Sequence, residues 1–110
     1  MESTEQRRSQ RIRFSSKAIL RYGQDHALEA HVDTRNISYH GLFLETDARL
    51  PLNTPCDIEI HLIGATSAMD ISAQGVIQRH DSGGMAVAFT SLHPDSYLHI
   101  LNLIKLHEAV

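Results

Sequence analysis

The sequence predicts an all-β fold with a terminal helix: a small six-stranded antiparallel β-barrel plus a C-terminal α-helix. Three observations predict it. Six short apolar stretches are separated by turn residues at close intervals, the pattern of a barrel of short strands. After Pro94 the hydrophobic period lengthens to that of a helix, as it does where strands give way to a helical face. The chain has 110 residues, 42% of them apolar and 21% charged. That composition suits one globular domain with a single core, not a disordered or fibrous chain.

Residues 1–12 hold few apolar side chains and read as a flexible basic N-terminal arm, with the barrel and helix over 13–110. Ala18–Tyr22 is the first strand, closed by Gly23-Gln24-Asp25. Leu28–Ile37 reads as a longer and more polar second strand, and Gly41–Thr46 as a third. Leu50–Pro55 is a connection, because prolines as close as Pro51 and Pro55 do not sit in a sheet interior. Asp57–Leu62 alternates apolar and polar residues cleanly, as a half-buried strand does. Gly64–Ala68 is a loop, and Ile71–Arg79 is the fifth strand. Asp81-Ser82-Gly83-Gly84 reads as a turn with two residues that tolerate positive φ, as hairpin turns require, and Met85–Phe89 is the last strand.

The helix is expected over about residues 94–107. Pro94 suits a first helical turn, and Asp95 favours the positive end of the helix dipole. Tyr97, Ile100, Leu101 and Ile104 mark a buried stripe, widened by Leu98, Leu103 and Leu106. So wide an apolar face lies against the barrel or across one of its openings, with part of it left for a partner.

Net charge is −3, but it is unevenly placed. Residues 1–22 hold six basic and two acidic side chains, net +4; residues 23–110 hold four basic and eleven acidic ones, net −7. An acidic body repels a long polyanion, so nucleic acid is not the expected partner, whereas a basic arm still grips a small anion. No apolar run approaches the ~18 residues of a membrane span, and no signal-peptide segment is evident near the N-terminus. The expectation is a cytoplasmic protein with no membrane insertion. Cys56 is alone, which excludes an internal disulfide and a cysteine-based zinc site.

The eight histidines form neither HxxxH on the helix nor HExxH, so no metal site and no metal cofactor is expected. GxSxG, GxxxxGK[ST] and GxGxxG are also missing, so the chain does not read as an enzyme and no catalytic residue is assigned. Cys56, behind Pro55 at a strand start, reads as a core residue and not as a nucleophile.

Two motifs remain. Arg7-Arg8-Ser9-Gln10-Arg11 is an RxxxR with an additional arginine, and Asn36-Ile37-Ser38-Tyr39-His40-Gly41 is an NxSxxG between two strands. Alone, the first is a solvated basic arm and the second a turn rich in turn-forming residues. In this order, with Arg11-Ile12-Arg13-Phe14 leading into the first strand, Gly84–Phe89 as the last and a helix behind it, the chain resembles the PilZ domain family. The resemblance covers essentially the whole sequence. It implies a stand-alone receptor for the bacterial second messenger cyclic di-GMP. Arg7 and Arg11 then carry the arm motif, and Asn36, Ser38 and Gly41 the barrel motif.

That ligand presents two guanines and two phosphodiesters. A guanidinium can fork onto guanine O6 and N7, stack on the base or pair with phosphate, and Arg8 offers a third cation. The family more often has Asp where this chain has Asn36, so a charge is missing at that contact. Ser38 offers a hydroxyl to phosphate or to a guanine amine. Gly41 permits close approach of backbone to ligand, or a conformation closed to other residues. Tyr39 and His40 read as exposed turn residues, with stacking on guanine the alternative. Gln78 or Arg79 can reach the ligand, and strand parity does not choose between them. Family members with an arginine just before RxxxR tend to bind a ligand dimer; Gln6 stands there, which favours one ligand per domain. The resemblance further implies signalling to an unidentified protein effector by ordering of the arm, with links to motility and biofilm formation. The alternative is an adaptor that binds a protein partner and no nucleotide.

Overall fold

A computed structural model describes residues 15–63 and 68–108. Six strands, β1 (Ser15–Tyr22), β2 (His26–His31), β3 (Gly41–Glu45), β4 (Pro55–Ile63), β5 (Ala68–Asp81) and β6 (Gly84–Leu92), are followed by α1 (Pro94–Glu108). They close into an antiparallel barrel in the order β1-β2-β3-β6-β5-β4, with β4 returning to β1. The fold class is the expected one. In β4 the side chains of Cys56, Ile58, Ile60 and Leu62 are buried between less buried neighbours, because a pleated strand sends alternate side chains to opposite faces. They meet Ala18, Leu20, Leu42, Leu44, Ile71, Ile77, Met85 and Val87 in one core.

The second strand is shorter than its sequence predicts. β2 stops at His31, and Thr34–Asn36 form a single 3₁₀ turn. The reason lies in Asp33, whose carboxylate accepts from the Arg35 backbone N–H at 2.9 Å, a local bond that competes with strand pairing. Val32 and Ile37 still face the core, which is why an apolar pattern runs through a break in the backbone. β2 and β3 pair only at His31 and Glu45, so residues 32–40 span the weakest seam of the barrel. The Ser16 hydroxyl donates to the Val32 carbonyl there.

The strands β1, β4, β5 and β6 are longer than expected, and Ala68 belongs to β5 and not to a loop. The β5–β6 turn forms at Ser82-Gly83, but none of Asp81–Gly84 adopts positive φ; Gly23, Asp25 and Asn53 do. Gly84 is required for another reason. A Cβ there would overlap the Leu44 carbonyl of the adjacent strand.

Helix α1 packs on β5. Ser96 accepts from the Ser72 backbone N–H at 2.8 Å, and His99 Nδ1 lies 2.8 Å from the Asp70 carbonyl oxygen. These bonds set the helix's rotation. Its buried line runs through Ser96, Ile100 and Leu103, while Tyr97 and Leu98 are 49% and 57% exposed. Ile100 and Leu103 are thus buried as expected, but Ser96 takes the place of Tyr97. Polar anchoring at Ser96 wins over the larger apolar residue beside it. None of the described helices is long and apolar enough to cross a membrane.

Candidate ligand-binding site

The NxSxxG segment crosses the β2–β3 seam as a stiff, internally bonded loop. Asp33 braces its start: its two carboxylate oxygens also accept from Arg35 Nε at 3.1 Å and from its terminal nitrogen at 2.7 Å. The pair keeps the Arg35 guanidinium firmly protonated, through the hydrogen bond first and the charge second. The Asn36 backbone N–H donates to the Asp33 carbonyl at 2.8 Å, and the Asn36 side chain is exposed. Ser38 closes the loop on itself. Its N–H donates to the Gly41 carbonyl at 2.9 Å, and its hydroxyl accepts from the His40 N–H at 3.1 Å. The Phe89 N–H then donates to the His40 carbonyl at 2.8 Å, tying the loop to β6.

Gly41 has a packing role. Its φ is outside the left-handed region. A Cβ there would overlap the Val87 carbonyl oxygen of β6, so a larger residue would push β3 away from β6 at the point where the motif enters the sheet. Tyr39 departs from its expectation. It is partly buried against the core, and its ring stacks on Tyr97 of α1, with centroids 4.4 Å apart and planes at 15°. Such offset aromatic pairs add to the stabilisation from burial alone. His40 is exposed, as expected.

Asn36, Ser38 and Gly41 come together around one recess of about 470 Å³. β3 adds Phe43, β6 adds Ala86, and β5 adds Gln78, Arg79 and Asp81. Ladder register explains this convergence: Phe43, Ala86 and Arg79 are consecutive cross-strand neighbours. The register shifts between Ile77 and Arg79, which leaves Gln78 as the extra residue of a bulge. A bulge breaks simple alternation, so Gln78 and Arg79 both line the recess, which parity does not allow in a regular strand. Phe43 and Asp81 were not singled out from the sequence. Phe43 lies two residues past Gly41 on the same strand, whereas only the β3-β6-β5 ladder brings Asp81 to the motif. Arg7, Arg8 and Arg11 lie outside the described residues, as does Gln6.

Elsewhere, Cys56 is buried, its Sγ is 3.5 Å from the Gly75 carbonyl oxygen, and burial pushes its thiol pKa up to about 11. The charge of Asp57 adds to that shift. A thiol so held is a poor nucleophile near neutral pH. Several histidines have partners on the protein, among them His61 Nδ1, 2.8 Å from Asp70 Oδ1. No group of three His, Cys, Asp or Glu able to hold a metal occurs among the described residues.

In a comparison against family models, the PilZ domain matches residues 5–106. The chain belongs to the PilZ domain family. That one domain fills almost all of the 110 residues. A comparison with curated proteins finds no match. PilZ domains in general are cyclic di-GMP-binding adaptor modules that often act on protein effectors, and the family is not a known catalytic one.

Proposed function

We propose that this PilZ protein is a cytoplasmic cyclic di-GMP receptor that binds the nucleotide against the recess at Asn36, Ser38 and Gly41, under an N-terminal arm carrying Arg7, Arg8 and Arg11. The observation that supports this reading best is the meeting of the whole NxSxxG motif with Arg79 and Gln78 around one recess. Its 470 Å³ falls within the ~300–1,000 Å³ of small-molecule sites. The side chains of Asn36 and Gln78 make no hydrogen bond within the described residues and are free to meet a base or a phosphate. Two phosphodiesters need cations, and the arm motif is the source of them.

The output is an adaptor's. Binding orders the arm, and the composite of arm, ligand and barrel forms a surface for a protein partner, a population shift driven by differential affinity for two states. No further cofactor enters this reading. Ordering a segment of chain offsets part of the contact energy.

Calorimetric titration of the full chain with cyclic di-GMP, with GTP and cyclic di-AMP as controls, tests the reading. Saturable binding of cyclic di-GMP alone, with a one-to-one inflection, is the expected result. A folded protein that takes up no cyclic di-GMP overturns it in favour of an adaptor that binds protein alone.

A further inference from the structure

The recess holds one acid. Among the described residues that line it, Asp81 alone carries a carboxylate. We infer that Asp81 is the residue that selects guanine, its carboxylate accepting from the N1–H and N2–H groups of a base whose O6 and N7 face Arg79. The inference deepens the receptor reading above and rests on it.

Asp81 and Arg79 lie two residues apart on β5, so both side chains leave the same face of the strand. The Arg79 guanidinium is 4.0 Å from Asp81 Oδ2, with both side chains more than half exposed. The pair is close enough to be read together and too loose to be spent on itself. Opposite them stands Phe43, across Ala86. Two strand spacings separate Phe43 from Arg79, about 10 Å, and only a methyl group lies between them. A planar base fits a space walled by a ring, a guanidinium and a carboxylate.

The chemistry favours guanine over adenine. Guanine offers two parallel donors, N1–H and N2–H, which a carboxylate fork accepts; adenine has an unprotonated N1 in their place. Guanine also offers O6 and N7 to a guanidinium, where adenine would present a donor against a donor. Asn36 provides one acceptor and no charge, so it does not supply this fork.

Asp81 is held ready for the role. Its Oδ1 accepts from the Ser82 N–H at 2.7 Å, which fixes the carboxylate's direction and leaves further lone pairs open. Arg49 pins the backbone beneath it, donating to the Asp81 carbonyl at 2.8 Å and to the Thr46 and Ala48 carbonyls at 2.8 Å each. The turn that carries Asp81 is thereby fastened to the β3–β4 connection, a positioning task for Arg49.

The test is calorimetry on the full chain, wild type and Asp81→Asn, with cyclic di-GMP, cyclic di-AMP and cyclic di-IMP, the inosine analogue that lacks N2. Asn keeps the acceptor for the Ser82 N–H, so the turn is preserved, and a thermal melt checks it. The expected result is a loss of cyclic di-GMP affinity of about 5- to 150-fold in the variant. The wild type should prefer cyclic di-GMP to cyclic di-IMP clearly, and Asp81→Asn should nearly erase that preference. A variant that keeps both its affinity and its dependence on N2 overturns the role of Asp81 and leaves the receptor reading standing. A wild type that binds none of the three overturns both.

Discussion

One recess of about 720 Å³ lies among Arg21, Tyr22, Asp25, His26, Asp57 and Gln74, and another of about 470 Å³ at the NxSxxG loop. Size favours the first and chemistry the second. The cation of the larger recess is already spent: Arg21 donates to Glu59 Oε1 at 2.7 Å, and that hydrogen bond and charge keep it firmly protonated. Asp25 and Asp57 then leave acids around an anion's path. Its aromatic group, Tyr22, is stacked on His26 at 5.3 Å. In the smaller recess Arg79 has a carboxylate only at 4.0 Å, and the amides of Asn36 and Gln78 are unoccupied by described residues. A site for a polar ligand is marked by hydrogen-bonding capacity the protein has not used, more than by volume.

The contrast breaks most readily at the arm. Arg11→Ala should weaken cyclic di-GMP binding by about 5- to 150-fold, because one bidentate guanidinium contact is worth ~1–3 kcal/mol and Arg7 cannot take both places. Titration calorimetry reads this directly. Unchanged affinity would remove the arm from the smaller recess and leave Arg79 as its one guanidinium among the described residues.

Ser38→Ala sharpens the comparison next, since Ser38 holds the loop and, in the proposed reading, also meets the ligand. Its hydroxyl accepts from the His40 N–H and reaches the Gly41 carbonyl at 3.4 Å. Removing it should cost about 1 kcal/mol of stability, a fall in Tm of roughly 4–8 °C for a domain near this size. Affinity should fall a few-fold besides. Paired thermal melts and titrations separate the two effects, and a variant that loses stability with full affinity would assign Ser38 to the turn alone.

How much of this was legible beforehand differs along the chain for physical reasons. The alternation of Asp57–Leu62 and the period change at Pro94 are local, and the barrel and its helix follow from them. The break at Asp33 was hidden because Val32 and Ile37 keep facing the core while a side chain, not a hydrophobic pattern, ends β2. On α1, Ile100 and Leu103 are buried as the pattern predicts, but Ser96 takes the place of Tyr97 because this small polar residue is anchored to β5 through Ser72. In the site, Asn36, Ser38 and Gly41 stand out as a motif. Phe43 is local to them, two residues past Gly41 on β3, whereas Arg79 and Asp81 reach them only through the β3-β6-β5 ladder, with Gln78 brought in by a bulge, and long-range pairing of that kind leaves no local trace. Gly41 reads as a site of close backbone approach or of unusual φ, and Gly84 as part of a turn that tolerates positive φ; what each needs is the absence of a Cβ against a neighbouring carbonyl.

A smaller effect is expected at Arg21. Arg21→Ala should leave cyclic di-GMP affinity within about twofold, because an exposed pair such as Arg21–Glu59 contributes little and stands outside the motif. A large loss in the same titration would move the ligand, or part of it, to the larger recess and reverse the comparison.

Cys56 gives the finest test, since it lines the larger recess from the inside. Burial raises its pKa from 9.0 to about 11, so the folded protein holds the proton more tightly than the unfolded chain does. The stability linked to this group is complete below pH ~9, where both states are protonated, and is lost as pH rises from 9.0 towards 11. Thermal melts across that window should therefore decline more steeply for the wild type than for Cys56→Ala. At neutral pH the thiol should resist iodoacetamide in the folded state and react once the chain is unfolded. Rapid alkylation of the native protein would mean that the larger recess opens to small molecules through the barrel wall, and its occupancy by a ligand would then return as a competing reading.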